Sequence, residues 1–273
     1  MYLKFHSMGE FIFDFEWAEA ARQFEAVDTA APNTTIGTGP LGSTKNTSAT
    51  FSFSADDPAA TFECSLDGAA FASCTSAKTY TGLSEGSHTF DVRATDAAGN
   101  TDQTPASHGW TIDTSPPETS IQAGPPDPTN QTAAVFSFSS DEAGSTFECR
   151  LDSAAFSTCT SSKTYTSLAV GTHTFDVRAL DPAGNADPSP ATRTWTIDTT
   201  APDTTILSAP NDPTNEIEAT FAFDASEGAA TFECNLDFAG WAPCTSPDTY
   251  GGLAAESHTF QVRATDAAGN TDP

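Results

Sequence analysis

One self-alignment offset works along nearly the whole chain, and it constrains the fold more than any other feature. Cys64, Cys149 and Cys234, then Tyr80, Tyr165 and Tyr250, then Asp96, Asp181 and Asp266 recur at a step of 85 residues with no insertion or deletion. A period this long means tandem domains, each about the size of an immunoglobulin module and large enough for one small core. The boundaries it predicts are a non-repeat N-terminal segment at 1–27, then repeats at 28–112, 113–197 and 198–273. Trp110 and Trp195 follow the same step, and the third equivalent falls beyond Pro273. The third repeat therefore lacks its last strand within these residues.

Inside a repeat, short runs alternating apolar and polar residues are separated by turn residues, and helix-length periodicity is missing. In the first repeat the pattern predicts strands near Thr34–Ile36, Ala49–Ala55, Thr61–Leu66, Phe71–Thr75, Lys78–Thr81, His88–Thr95 and Gly109–Asp113. Phe51 and Phe53, Phe62, Cys64 and Leu66, and Phe90, Val92 and Ala94 point inward. Seven short strands in 85 residues predict an all-β chain of three tandem two-sheet β-sandwiches, which the resemblance below makes Ig-like, or fibronectin III-like.

The cysteines pair at one spacing: Cys64 with Cys74, Cys149 with Cys159, Cys234 with Cys244. None has the two-residue spacing of a zinc knuckle or redox motif. The turn Leu66-Asp67-Gly68-Ala69-Ala70-Phe71 sets each pair about a hairpin centred on Ala69, with the sulfurs facing across adjacent strands. Closing so short a loop stabilises a domain by about 2.5–3 kcal/mol through chain entropy. Such staples imply an oxidising compartment, hence a secreted or cell-surface protein. No signal peptide is visible at the N-terminus, and no apolar run approaches the roughly 20 residues of a membrane span.

Two stretches carry a family resemblance. Thr79 through Ala94 (Thr-Tyr-Thr-Gly-Leu-Ser-Glu-Gly-Ser-His-Thr-Phe-Asp-Val-Arg-Ala) resembles the E-to-F corner of fibronectin type III domains. The Phe-x-Cys-x-Leu-Asp, Asp-x-Ala-Gly-Asn and Trp-Thr-Ile-Asp-Thr elements around it resemble bacterial Ig-like repeats of long secreted proteins. The resemblance covers about residues 28–273 and implies an extracellular sandwich without naming a function. Residues 1–25 weakly resemble an internal stretch of a peptidoglycan-type N-acyltransferase family but carry none of its acyl-donor site. There Phe11, Phe13 and Phe15 alternate like a strand, and Glu16–Gln23 are good helix formers.

Acidic residues number 37 against 10 basic, a net charge of −27. That charge repels phosphates and anionic lipid, so nucleic acid and membrane are excluded as partners. It suits a surface that gathers cations. The short, proline-bearing linkers 113–117 and 198–202 limit hinge motion. End-to-end repeats of about 35 Å each would make a rod on the order of 100 Å long. In Ig topology the F-to-G turn faces the last residues of the preceding repeat. Three acidic clusters follow as candidate calcium sites: Asp28 with Asp96, Asn100 and Asp102; Asp113 with Asp181, Asn185 and Asp187; Asp198 with Asp266, Asn270 and Asp272. The competing reading is a plain hairpin turn in which Gly and Asn take positive φ and Asp bonds its own backbone. No other cofactor is indicated.

No catalytic residue is assigned. His88, His173 and His258 sit at one position per repeat, which points to packing or corner hydrogen bonding rather than to a dyad. His6 and His108 stand beside no candidate catalytic partner in the sequence. No acid pair, phosphate loop or nucleophile elbow stands out. The expected role is a non-enzymatic spacer, stalk or adhesion region among the domains of a larger secreted protein. The alternative is an accessory module binding a surface protein or polysaccharide. Trp241 is its candidate residue, because the sister positions are Phe71 and Phe156; core variation explains that swap too.

Overall fold

The computed structural model describes residues 28–273, so the expectations for Phe11–Phe15 and Glu16–Gln23, and the acyltransferase resemblance, lie outside the described residues. Every element among the described residues is a strand. They form two compact units. One takes the described residues up to Gly39 with Thr50–Thr79 and Thr89–Gly109; the other takes Pro40–Ala49, Tyr80–His88 and Trp110–Pro273.

The first repeat supplies β1 (Thr34–Thr38), β2 (Ser43–Thr44), β3 (Ala49–Ala55), β4 (Thr61–Leu66), β5 (Ala72–Cys74), β6 (Lys78–Tyr80), β7 (Gly86–Thr95) and β8 (Ala106–Ile112). In the first unit β1 pairs antiparallel with β3, and β4 pairs with both β5 and β7. In the second unit β2 runs parallel to the end of β8, Ser43 opposite Thr111. The sequence pattern missed β2, because two residues are too short to show an alternation.

The second repeat lies wholly in the second unit: β9 (Thr119–Ala123), β10 (Ala134–Ser140), β11 (Thr146–Leu151), β12 (Ser157–Cys159), β13 (Lys163–Tyr165), β14 (Gly171–Leu180) and β15 (Ala191–Ile197). Its sheets run β13-β10-β9 and β12-β11-β14-β15, three strands against four. Alternation explains the core. Ala134, Phe136 and Phe138 point inward from β10, Phe175 and Val177 from β14, and Trp195 and Ile197 from β15. Phe136 stacks on Phe175 at 4.1 Å, and Trp195 meets Phe136 edge-on. Each such side chain removed from water stabilises the sandwich by about 1.5–3 kcal/mol. Asp176, on the other face of β14, is buried but satisfied: Arg150 Nε and Thr192 Oγ1 donate to its two oxygens at 2.7 and 2.6 Å.

The third repeat supplies β16 (Thr204–Ser208), β17 (Glu218–Ala225), β18 (Thr231–Leu236), β19 (Ala242–Cys244), β20 (Asp248–Gly251) and β21 (Phe260–Thr265). Its sheets are β16-β17-β20 and β19-β18-β21. Strand β21 starts four residues later than the step from β14 predicts, and the reason is local. In β14, residues 171–174 pair with β15 alone, 175–177 with both β15 and β11, and 178–180 with β11. Among the described residues no strand pairs with β21 as β15 pairs with β14, so the equivalent residues join no second ladder. Phe260 is correspondingly half-buried where Phe90 and Phe175 are fully buried.

All three disulfides close within their own hairpins, Cys64–Cys74, Cys149–Cys159 and Cys234–Cys244, with Cα–Cα distances of 5.8 Å. The hairpin of the first repeat is not centred on Ala69. It turns on Asp67-Gly68, both at positive φ (53° and 73°), closed by the Ala69 N–H donating to Leu66 O. An Asp-Gly pair is the preferred filling of such a turn. Cys64 then stands opposite Ala72, and Cys74 opposite Phe62, so the bridge runs diagonally.

Candidate functional site

The turn after each F strand (β7, β14 and β21) is built from its own Asp and Asn. In Asp181-Pro182-Ala183-Gly184-Asn185, the Asn185 backbone N–H donates to Asp181 Oδ1 (2.8 Å) and its side-chain Nδ2 to Oδ2 (2.7 Å). Gly184 takes a φ of 89°, which an L side chain rarely adopts. Asn185 is not among the positive-φ residues, so the expectation that both Gly and Asn carry the left-handed turn is corrected to Gly alone. Asn100 and Asn270 repeat these bonds on Asp96 and Asp266.

The same Asn amide reaches the segment that enters the repeat. Asn185 Nδ2 donates to the Asp113 carbonyl at 2.9 Å, Asn270 Nδ2 to Asp198 O at 2.8 Å, and Asn100 Nδ2 to Asp28 O at 3.0 Å. A second tie comes from the preceding repeat. Lys45 Nζ donates to Gly184 O at 2.7 Å, and one step on, Asn130 Nδ2 donates to Gly269 O at 2.9 Å. Backbone bonds explain why those residues stand at the junction. Asp198 N–H donates to Thr129 O, and Asp113 N–H to Thr44 O, fastening the loop before the B strand (β3, β10) to the end of the G strand (β8, β15).

Carboxylates converge on the same place. Asp113, Glu142 and Asp181 bring one oxygen each within 4.8 Å of one another, as do Asp198, Glu227 and Asp266. Burial, then the negative charges of Asp181, Asp113 and Asp141, push the Glu142 carboxyl above its ordinary range. Burial opposes ionisation of Asp266 also, but hydrogen bonds from Asn270 and the turn backbone outweigh it and hold that carboxyl low. A further trio, Cys234, Cys244 and Asp248, has both sulfurs committed to a disulfide.

Two placements differ from the sequence clusters. Asp102, Asp187 and Asp272 stand apart from the trios: their Oδ2 atoms accept the backbone N–H of Thr34, Thr119 and Thr204, pinning the first strand of each repeat. Asp187 also accepts from Ser189 and is 2% exposed. Glu142 and Glu227 were missed by the sequence reading. The signal was present, because Asp57, Glu142 and Glu227 follow the 85-residue step, but the turn after the B strand gave no reason to look there.

No protein family and no curated protein matches the chain by sequence. Among solved structures, it is similar to fibronectin(III)-like modules of CbhA from Clostridium thermocellum, at 15% identity over 61% of this chain and 94% of that one, TM-score 0.40. It is also similar to a Ca2+-stabilized adhesin with which an Antarctic bacterium binds ice, at 17% identity over 90% and 72%, TM-score 0.41. A 1.5-MDa bacterial ice-binding adhesin gives 16% identity over 90% and 96%, TM-score 0.39. Likeness this faint leaves function to the residues themselves.

Trp241 has a packing role in view. The Arg263 guanidinium lies 4.3 Å from its ring centroid, as Arg93 lies 4.2 Å from that of Phe71 and Arg178 4.4 Å from that of Phe156. Each arginine also donates to a glutamate on the neighbouring strand. Trp241 stays 38% exposed, and Phe238, three residues earlier on the same hairpin, is 73% exposed at a φ of 59°.

The repeated histidines sit at the corner before the F strand. His88, His173 and His258 place Nε2 against the carbonyl oxygens of Ser84, Ala169 and Ala254. His88 stacks on Trp110 at 5.3 Å, and His173 lies tilted on Trp195 at 5.5 Å.

Proposed function

We propose that the chain is a structural repeat region of a secreted or cell-surface protein, whose stapled sandwiches carry other domains, with calcium held at the repeat junctions. The observation that carries this reading is the recurrence, at one step, of the same contacts between neighbouring repeats. Lys45 on Gly184 and Asn130 on Gly269 tie each repeat to the next, beside a carboxylate trio. Sequence drift would scatter such contacts if the repeats were independent beads. Three disulfides suit an oxidising compartment. No helix among the described residues is long and apolar enough to cross a membrane.

Calcium fits the donor set. It takes six to eight oxygens, and each junction offers three carboxylates, with the rest of its shell open to water and backbone carbonyls. A cation would also relieve the like-charge repulsion that adds to burial in raising Glu142. Ions bound by the folded chain alone stabilise it by about 2.7 kcal/mol at a hundred times the dissociation constant. Calorimetric titration of calcium into the chain tests the reading. Saturable binding that Asp181→Asn and Asp266→Asn each reduce by one site is expected; no heat at millimolar calcium would remove the metal from the account.

A second reading, ligand binding at the third repeat's C–C′ hairpin (β18–β19), is favoured by Phe238 and Trp241, two exposed aromatics on one turn. Sugar rings stack on such faces. A polysaccharide pull-down with Phe238→Ser against the unaltered chain separates the two readings.

A further inference from the structure

The corner histidines face acceptors on both sides of the ring. In the second repeat His173 Nε2 lies 2.9 Å from Ala169 O, and Nδ1 lies 3.0 Å from Asp152 Oδ2. In the third, His258 Nε2 lies 3.0 Å from Ala254 O, and Nδ1 2.7 Å from Asp237 Oδ2. A carbonyl oxygen accepts only, and so does an ionised carboxylate. A neutral imidazole has one N–H and satisfies one of the two; the imidazolium satisfies both.

The partner carboxylate is itself tied down. Asp152 Oδ1 accepts the Thr174 N–H at 2.9 Å, and Asp237 Oδ1 the Thr259 N–H at 2.8 Å. Both aspartates stand at positive φ in the turn that carries the C–C′ disulfide hairpin. Each ring therefore bridges two loops distant in sequence, the C–C′ turn (between β11 and β12, or β18 and β19) and the E–F corner (between β13 and β14, or β20 and β21). The rings are mostly covered, with His173 11% and His258 20% exposed at the side chain.

We propose that His173 and His258 are pH-responsive clasps: charged, each ring locks the E–F corner to the C–C′ turn of its repeat, and loss of one proton releases the corner.

The facing groups support this. Around His173 the charged neighbour is Asp152, with uncharged Trp195 tilted over the ring from β15. Around His258 the charged neighbours are Asp237 and Glu256. The Ala169 carbonyl above all, then the Asp152 carboxylate, hold the His173 pKa above its ordinary value against a burial effect that lowers it. For His258 the Asp237 hydrogen bond leads, followed by the Ala254 carbonyl. Asp237 is held low, first by His258 and then by Thr259. Burial would raise Asp152, but its bonds from Thr174 and His173 prevail and hold it low.

The sign follows from linkage. A histidine raised on folding contributes stability that is complete below the unfolded value of about 6.5 and is lost as pH rises through the folded value. The aspartate sets the opposite limit, because the clasp also opens when the carboxyl is protonated. The corners are thus firmest in mild acid and loosen toward alkaline pH.

The experiment is a pH titration of the histidine ring signals by NMR in the full chain, together with amide-exchange protection at residues 169–171 and 254–256. His173 and His258 are expected to titrate above about 6.5. Asp152→Asn should lower the His173 value and leave His258 unchanged. Corner protection factors should fall several-fold through the histidine transition, and this fall should vanish at residues 169–171 in His173→Gln. Titration at or below about 6.5, or an unchanged pH profile of protection in His173→Gln, overturns the proposal. If His173→Gln does not fold, the Asp152→Asn shift and the native titration decide it.

Discussion

Removing one staple gives a prediction whose size comes from the structure. Cys149 and Cys159 close a loop of separation 10, between β11 and β12, in the register Cys149 opposite Ser157 and Phe147 opposite Cys159. Loop-closure entropy for ten residues comes to about 9 cal/mol/K, or about 2.7 kcal/mol at 25 °C. Replacement of both by alanine is preferable to serine, because Cys149 is buried in the core and a hydroxyl there would go unpaired. With a urea slope of about 1 kcal/mol/M for a domain this small, the midpoint of the second repeat should fall by 2–3 M. Hydrogen exchange followed by mass spectrometry across a urea series resolves the repeats. The first and third should keep their midpoints. A shift in the second of under about 0.5 M, against the 2–3 M worked above, or an equal shift in all three, would refute a staple that acts within its own hairpin.

Among the described residues β21 pairs with β18 and no second strand, so its residues 260–262 should exchange their amides faster than 175–177 of β14, which pair with both β11 and β15; equal protection would contradict the role given to β15. Asp187→Ala should cost about 3 kcal/mol in chemical denaturation, since it leaves the Thr119 and Ser189 N–H groups without a charged acceptor. Burial would raise the Asp187 carboxyl, but bonds from Thr119 and Ser189 hold it below the ordinary range. Its stabilisation is therefore present above about pH 3.9 and lost as pH falls through the folded value, so the native chain should lose more stability in acid than the variant. Phe238→Gly should stabilise the third repeat by about 1 kcal/mol in a urea melt, because a phenylalanine there occupies the left-handed region that Gly68 fills in the first repeat. A loss instead would mean that Phe238 makes contacts its exposure hides.

The fold was legible because its determinants are periodic. Phe51 and Phe53, or Phe136 and Phe138, alternate across one strand and bury one face, and the 85-residue step carries the pattern to its sisters. The cysteine pairs were legible from spacing, but their diagonal register was not, since it depends on the backbone of Asp67-Gly68. Asp113 and Asp181 could be brought together from topology alone. Glu142 could not, because it comes from a turn whose direction is set only when β10 and β11 pack. Asp187 looked like one more acid of the cluster, and the structure turns it inward onto Thr119. That choice comes from backbone N–H groups, which a sequence does not display as partners. The ties of Lys45 to Gly184 and Asn130 to Gly269 were likewise hidden, because they fall on a loop with no apolar pattern.

The central claim is that neighbouring repeats are fastened at their junctions rather than strung loosely. Nitrogen-15 relaxation on the full chain in calcium tests it directly by comparing rotational correlation times in the second and third repeats. The account predicts one common tumbling time, splitting into two when Asn130 is replaced by glycine and the metal is chelated. Two separate times in the native, calcium-loaded chain would contradict it.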